Sequence, residues 1–170
     1  MKYTGAPNAP VTIVEFFDPA CEACRAFHPV VKQTLAEHGD SVRVVIRYAP
    51  FHGDASETAV RILEAARMQG LFEPVLEALL REQPRWASHS GMRTELLLPI
   101  AQTAGLDVEK ARYQMKAPQI QSTLNQDRED IAAVNVRGTP TFYVNSKPLQ
   151  EFGRQQFRAL VAAEVASSKE

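Results

Sequence analysis

Residues Val11 to Phe17, VTIVEFF, form a short run of β-branched and aromatic side chains with Pro10 before it and Asp18-Pro19 after it, the pattern of a buried strand. From Cys21 the period changes. Ala23, Phe27, Val30, Val31 and Leu35 recur at helical spacing until Gly39, so a helix is expected from Cys21, kinked rather than ended by Pro29. Val42 to Tyr48, VRVVIRY, predicts a second strand, and the resulting β-α-β order implies a parallel pair. From Asp54 to about Asp130 the chain reads as helical, first in SETAVRILEAARMQG and LFEPVLEALLREQ with Gly70 as a stop between them. Further helices are expected over 93–104, with Pro99 as a weak point, over 107–116 and over 119–133. The stretch Gln83 to Met92, with Pro84, two serines and Gly91, reads as the longest loop. Thr141 to Val144, a turn at Asn145-Ser146-Lys147, and Pro148 to Phe152 predict a hairpin. A closing helix over 154–166 carries Phe157, Leu160, Val161 and Val165 on one stripe.

Composition adds limits. With 170 residues, 45% hydrophobic and 23% charged, the chain can bury one sizeable core. The net charge of −1 and the scattered basic residues provide no footprint for nucleic acid or an anionic membrane. No apolar run approaches the roughly 20 residues that span a bilayer. The opening MKYTGAPNAP lacks the apolar core of a signal peptide, which leaves a cytoplasmic protein or a trimmed, mature form as the expectations.

The two cysteines, Cys21 and Cys24, close too short a loop to contribute much to folding, so their role is expected to be chemical. Three readings stand: a redox pair, half of a zinc site, or two buried thiols. Zinc needs two further ligands, and His28, His38, His52 and His89 are scattered along the chain. Glu15 is an acid in the middle of an apolar strand, costly to bury unless paired or protonated, and Arg43 or Arg47 of the next strand could pair with it. Pro50, Phe51 and His52 follow the second strand, at the end of the sheet where a parallel arrangement places its binding surface. Trp86 reads as a packing residue.

A strand running into Cys-x-x-Cys at a helix start, Pro29 five residues after Cys24, and Gly138-Thr139-Pro140 before a β-β-α unit together resemble the thioredoxin fold. About 90 residues separate Tyr48 from Thr139, far more than one short helix needs. That excess, with VEFFDPACEAC and the APFHGDASETAVRILEAARMQGLFEPVLEALL segment, resembles the DsbA-like thiol-disulfide oxidoreductases. The resemblance implies an α/β thioredoxin fold, β-α-β … β-β-α, built from residues 1–53 and 135–170 with an inserted helical subdomain over 54–134.

It also implies a function: disulfide exchange with protein thiols and disulfides, in the direction of dithiol oxidation, without a bound cofactor or metal. Alternatives are an isomerase or reductase, or a redox-inactive binding module on the same fold. Cys21 would be the nucleophile, favoured as a thiolate by the helix N-terminus, and Cys24 the resolving thiol. Glu15 would accept a proton from Cys24. Thr139 and Pro140, if joined by a cis bond, would face Cys21 and pair with an extended substrate, with Phe51 lining an apolar groove. The chain departs from the usual pattern at Glu22-Ala23 inside the motif and at the Asn145-Ser146 turn. A carboxylate at Glu22 is expected to raise the Cys21 pKa and make the protein a milder oxidant. The implied setting is a monomer in the bacterial periplasm, re-oxidised by a redox-recycling partner.

Overall fold

The computed structural model describes residues 3–170. Its strands are β1 (Tyr3–Gly5), β2 (Val11–Phe17), β3 (Val42–Tyr48), β4 (Ala87–Ser88), β5 (Gly91–Met92), β6 (Thr141–Val144) and β7 (Lys147–Pro148). Its α-helices are α1 (Glu22–His38), α2 (Asp54–Met68), α3 (Phe72–Arg81), α4 (Gln83–Trp86), α5 (Leu97–Thr103), α6 (Val108–Gln114), α7 (Pro118–Ala133) and α8 (Arg154–Ser167). The main sheet has the order β1-β3-β2-β6-β7, with β2 parallel to β3 and antiparallel to β6. The fold is thus the expected mixed α/β thioredoxin-like one, with α2 to α7 between β3 and β6.

Strand β1 was not expected from the small residues and prolines of the N-terminus. It pairs antiparallel with β3, and Gly5 explains how: a Cβ there would meet the Val42 carbonyl oxygen at 2.7 Å, so only glycine lets the edge strand approach. The hairpin turn comprises only Asn145 and Ser146, at φ 47° and 68°, and Lys147 already pairs with Val144. The second arm is shorter than Pro148 to Phe152. The Leu149 amide bonds the Phe142 carbonyl at 3.0 Å, and the chain then leaves the edge toward α8.

Alternation decides which side of the sheet each residue serves. Val11, Ile13, Val42, Val44, Phe142 and Val144 pack against α1 and α8 through Phe27, Val30, Val31, Phe157 and Val161. The rings of Phe27, Phe142 and Phe157 lie 4.7 to 5.3 Å apart between centroids. Helix α1 runs through Pro29 unbroken, with the ring on the exposed face. Its buried stripe begins at Cys24, and Ala23 faces out. On the opposite face, Arg47 of β3 reaches Asp127 and Asp130 of α7, and the Tyr48 amide donates to Asp127 at 2.9 Å.

The expected loop from Gln83 to Met92 is instead the short α4 followed by the two-stranded β4–β5 hairpin. Trp86 anchors it, fully buried, with its indole N–H on the Leu79 carbonyl at 2.9 Å. Polarity hid this element, because its buried residues Gln83 and Trp86 are not an apolar run. The apolar core formed by α2, α3 and α5 is continuous with Phe17, Cys21, Cys24 and Tyr48, so the helical segment and the cysteine pair share one packed body.

Candidate active site

Strand β2 ends at Phe17, and four residues turn the chain into α1 with Cys21 as the N-cap. The Cys21 sulfur accepts the Cys24 amide at 3.4 Å, which is the bond that an oxygen makes at a conventional cap. Only 8% of Cys21 is exposed, yet it lines a cavity of about 430 Å³ with Glu22, His52, His89 and Met92. Cys24 is fully buried behind it. Both are free thiols.

The two sulfurs differ in chemistry because of where they sit. A hydrogen bond from the Cys24 thiol lowers the Cys21 pKa to about 5, overcoming the burial that opposes it; contacts from Thr139 and the amides at the helix start act in the same direction. Burial drives the Cys24 thiol far up, and its hydrogen bond to Cys21 adds to the rise. Glu22 does not raise Cys21 as expected. Its carboxylate is largely exposed and turned to Arg25 at 3.9 Å and His89 at 3.6 Å, and the thiol pKa falls despite it.

The Thr139–Pro140 peptide is cis, and the Thr139 carbonyl oxygen lies 3.3 Å from the Cys21 sulfur. Phe51 is displaced from the expected role: it lines a separate groove with Leu124, Arg128 and Ile131, and His52 borders the Cys21 cavity in its place.

Glu15 is 2% exposed, and its Oε1 has no hydrogen-bond partner among the described residues. Burial, followed by the nearby Cys21 charge, raises its pKa to about 8. Pairing with Arg43 or Arg47 is overturned by register. Arg43 lies opposite Thr12 and Arg47 opposite Phe16, so both project from the face that Glu15 avoids. Arg43 bonds Thr12 and Pro7, and Arg47 bonds Asp127.

Two residues that sequence reasoning did not single out hold the loop before Cys21. Asp18, fully buried, accepts from the Ala20 and Phe51 amides, from Ser56 Oγ, and lies 2.7 Å from His52 Nδ1. Gln83 donates its amide N–H groups to the carbonyls of Pro19 at 2.7 Å and Cys21 at 3.0 Å. In sequence, Asp18 reads only as a strand terminator, and Gln83 as a loop residue. Among the described residues, His28, Glu73 and Glu77 form a cluster of potential metal ligands, with the Lys32 ammonium on Glu77 at 2.7 Å; neither cysteine belongs to it.

The helix-capping sulfur, the buried second thiol and the adjoining cis-proline segment define a thioredoxin-type dithiol site. A family model described as thioredoxin matches residues 2–166, and the chain belongs to that family. Its architecture is that of the DsbA-like thiol-disulfide oxidoreductases. A thioredoxin-like oxidoreductase from Silicibacter pomeroyi superposes with a TM-score of 0.83 at 30% identity, covering 99% of this chain and 91% of that one. Disulfide bond formation protein D of Bacillus subtilis is 28% identical over 155 residues, covering 87% of this chain and 69% of that protein. The chain is also 30% identical over 165 residues to the Na(+)/H(+) antiporter NhaA of Herminiimonas arsenicoxydans. That match takes in 97% of this chain but 25% of the antiporter, so the chain spans about a quarter of that relative's length. No helix of the described residues is long and apolar enough to cross a membrane.

Proposed function

We propose that the chain oxidises dithiols in protein substrates through a Cys21–Cys24 disulfide. The observation that carries this reading is the Cys21 sulfur at the cap of α1, lowered to about 5 and facing an open cavity. A stabilised thiolate lowers the energy of the reduced protein, which makes its disulfide oxidising.

A substrate thiolate attacks the Cys21 sulfur of the enzyme disulfide. A new S–S bond joins substrate to Cys21, the Cys21–Cys24 bond breaks, and its electron pair leaves on Cys24, which takes a proton from Glu15. The second substrate thiolate then attacks the substrate sulfur of the mixed disulfide and expels the Cys21 thiolate. The substrate is oxidised by two electrons and the enzyme pair is reduced. Thr139, with its carbonyl beside the sulfur, and Pro140 would border the extended substrate chain. His52 and the β4–β5 hairpin line the cavity at Cys21. Segment 54–134 acts as a helical subdomain that shapes the groove. No bound cofactor is required; re-oxidation falls to a separate disulfide partner in an oxidising compartment such as the periplasm.

Equilibration with glutathione tests the reading. The expected reduction potential lies well above the roughly −270 mV of a thioredoxin reductant. A value at or below that level overturns the oxidase direction, and dithiol oxidation surviving Cys21→Ser overturns the site.

A further inference from the structure

A dithiol substrate reaches the Cys21 cavity mostly as thiol, because an ordinary cysteine has a pKa of about 8.5 and is about 1% thiolate at pH 6.5. Only the thiolate attacks a disulfide, so each substrate sulfur must shed a proton before it reacts. Neither enzyme sulfur can take that proton while both are held in the disulfide. The group on the cavity wall suited to the task is His52.

Its ring is fixed from behind. Asp18, fully buried, divides four donors evenly between its oxygens: the Ala20 amide at 2.9 Å and Ser56 Oγ at 2.7 Å on Oδ1, the Phe51 amide at 2.8 Å and His52 Nδ1 at 2.7 Å on Oδ2. A carboxylate offers about four lone-pair sites, so all are used, and Nδ1 must carry the proton it shares with Oδ2. In the neutral ring Nε2 then holds the lone pair, and it makes no hydrogen bond among the described residues. The imidazole is 43% exposed, whereas the carboxylate behind it is closed to solvent. A ring tied to a buried acid through one nitrogen and open at the other can take a proton in the cavity and pass it to water.

We infer that His52 is the base for the incoming substrate thiol, positioned by Asp18. The inference rests on the dithiol oxidation proposed above. Its target is the substrate, not the enzyme: the Cys21 thiol is set first by Cys24 and, against burial, by Thr139 and the amides of the helix start, with no contribution from the imidazole. The other charged and titratable groups around the ring are Cys21, Glu22, Arg25 and His89 in the lining of the same cavity, and Asp54 and Glu57 in the first turn of α2. Glu22 turns to Arg25 and His89, and His89 is almost fully exposed, so neither is held as His52 is.

The substrate S–H bond breaks with its electron pair kept on sulfur, and the proton goes to Nε2. That thiolate forms its bond to Cys21 as the Cys21–Cys24 bond breaks onto Cys24, and the imidazolium returns its proton to solvent. The second substrate thiol loses its proton by the same path before it expels the Cys21 thiolate. Two electrons enter the cysteine pair and two protons leave through the ring. Cys24 draws its own proton from Glu15, which solvent replenishes.

The oxidised full chain is mixed with a peptide carrying two ordinary cysteines, and reduction of its disulfide is followed by acid quench and mass spectrometry from pH 6.5 to 9.5. His52→Ala should be about tenfold or more slower than wild type at pH 6.5, losing about tenfold in rate per pH unit as the substrate thiolate disappears. By pH 9.5, where the substrate ionises unaided, the two rates should coincide. His52→Asn keeps a donor for Asp18 but has no basic nitrogen, and should show the same profile. Added imidazole should restore both variants at pH 6.5, and the Cys21 alkylation midpoint should stay at its wild-type value. A wild-type profile in either variant, a deficit equal at every pH, no rescue by imidazole, or a shifted Cys21 midpoint would overturn the role of His52 and leave dithiol oxidation standing. Failure of the peptide to reduce the wild-type disulfide at any pH would instead remove the oxidase reading.

Discussion

Glu15 and Asp18 are buried acids three residues apart at the end of one chain segment, and the protein treats them in opposite ways. Asp18 gathers hydrogen bonds from two backbone amides and Ser56 and holds His52 at 2.7 Å. Glu15 has an oxygen with no partner and a pKa raised to about 8. Equal burial therefore says little about role. An acid whose lone pairs are all occupied is a tie between segments, and one left short of donors is held near neutrality, ready to exchange a proton.

The sharpest test of that difference is Asp18→Ala, which strands two amides, a hydroxyl and an imidazole. At about 1 kcal/mol for each lost bond, unfolding in urea should show a loss of roughly 4 kcal/mol. Glu15→Gln should do the reverse. The folded chain keeps the Glu15 proton between the ordinary 4.5 and about 8, whereas the unfolded chain has released it. The folded state binds more protons there, so the wild type loses stability as pH rises through that window. At roughly 1.4 kcal/mol per pH unit, the variant should be about 3 kcal/mol more stable than the wild type near pH 7, with the gap closing by pH 4. A variant no more stable at neutral pH would erase the distinction between the two acids.

Gln83→Leu probes the other tie to the same loop. It should cost about 2 kcal/mol, one for each donor removed from the Pro19 and Cys21 carbonyls, and should raise the pH at which Cys21 is alkylated by iodoacetamide. In the wild type that midpoint should fall near pH 5. The smallest effect is expected of Glu22→Gln, which should leave the alkylation midpoint unmoved because that carboxylate faces Arg25, His89 and water.

The parts legible in the sequence are those specified by local pattern. VTIVEFF, the helix from Cys21 and VRVVIRY carry their periods openly, and the motif placed Cys21 at the helix start. Glu15 was singled out because an acid in an apolar run breaks its own pattern. Its separation from Arg43 and Arg47 was also readable once β2 and β3 were paired, since the pleat has a period of two. What stayed hidden depends on contacts distant along the chain. Asp18 meets Phe51 and Ser56 across 33 and 38 positions, and Gln83 meets Pro19 across 64. Polar side chains that become buried only through such contacts leave no periodic trace. Strand β1 escaped for a related reason: its three residues are too few to show alternation, and its place on the edge depends on what Gly5 lacks.

The Gln83 amide makes the posture of Cys21 answerable to the helices packed beside it. Those helices do not merely decorate a thioredoxin frame; through Gln83 they grip the main chain at Pro19 and Cys21. Under the proposed function, remodelling that helical wall for a different client protein would retune the Cys21 sulfur in the same stroke.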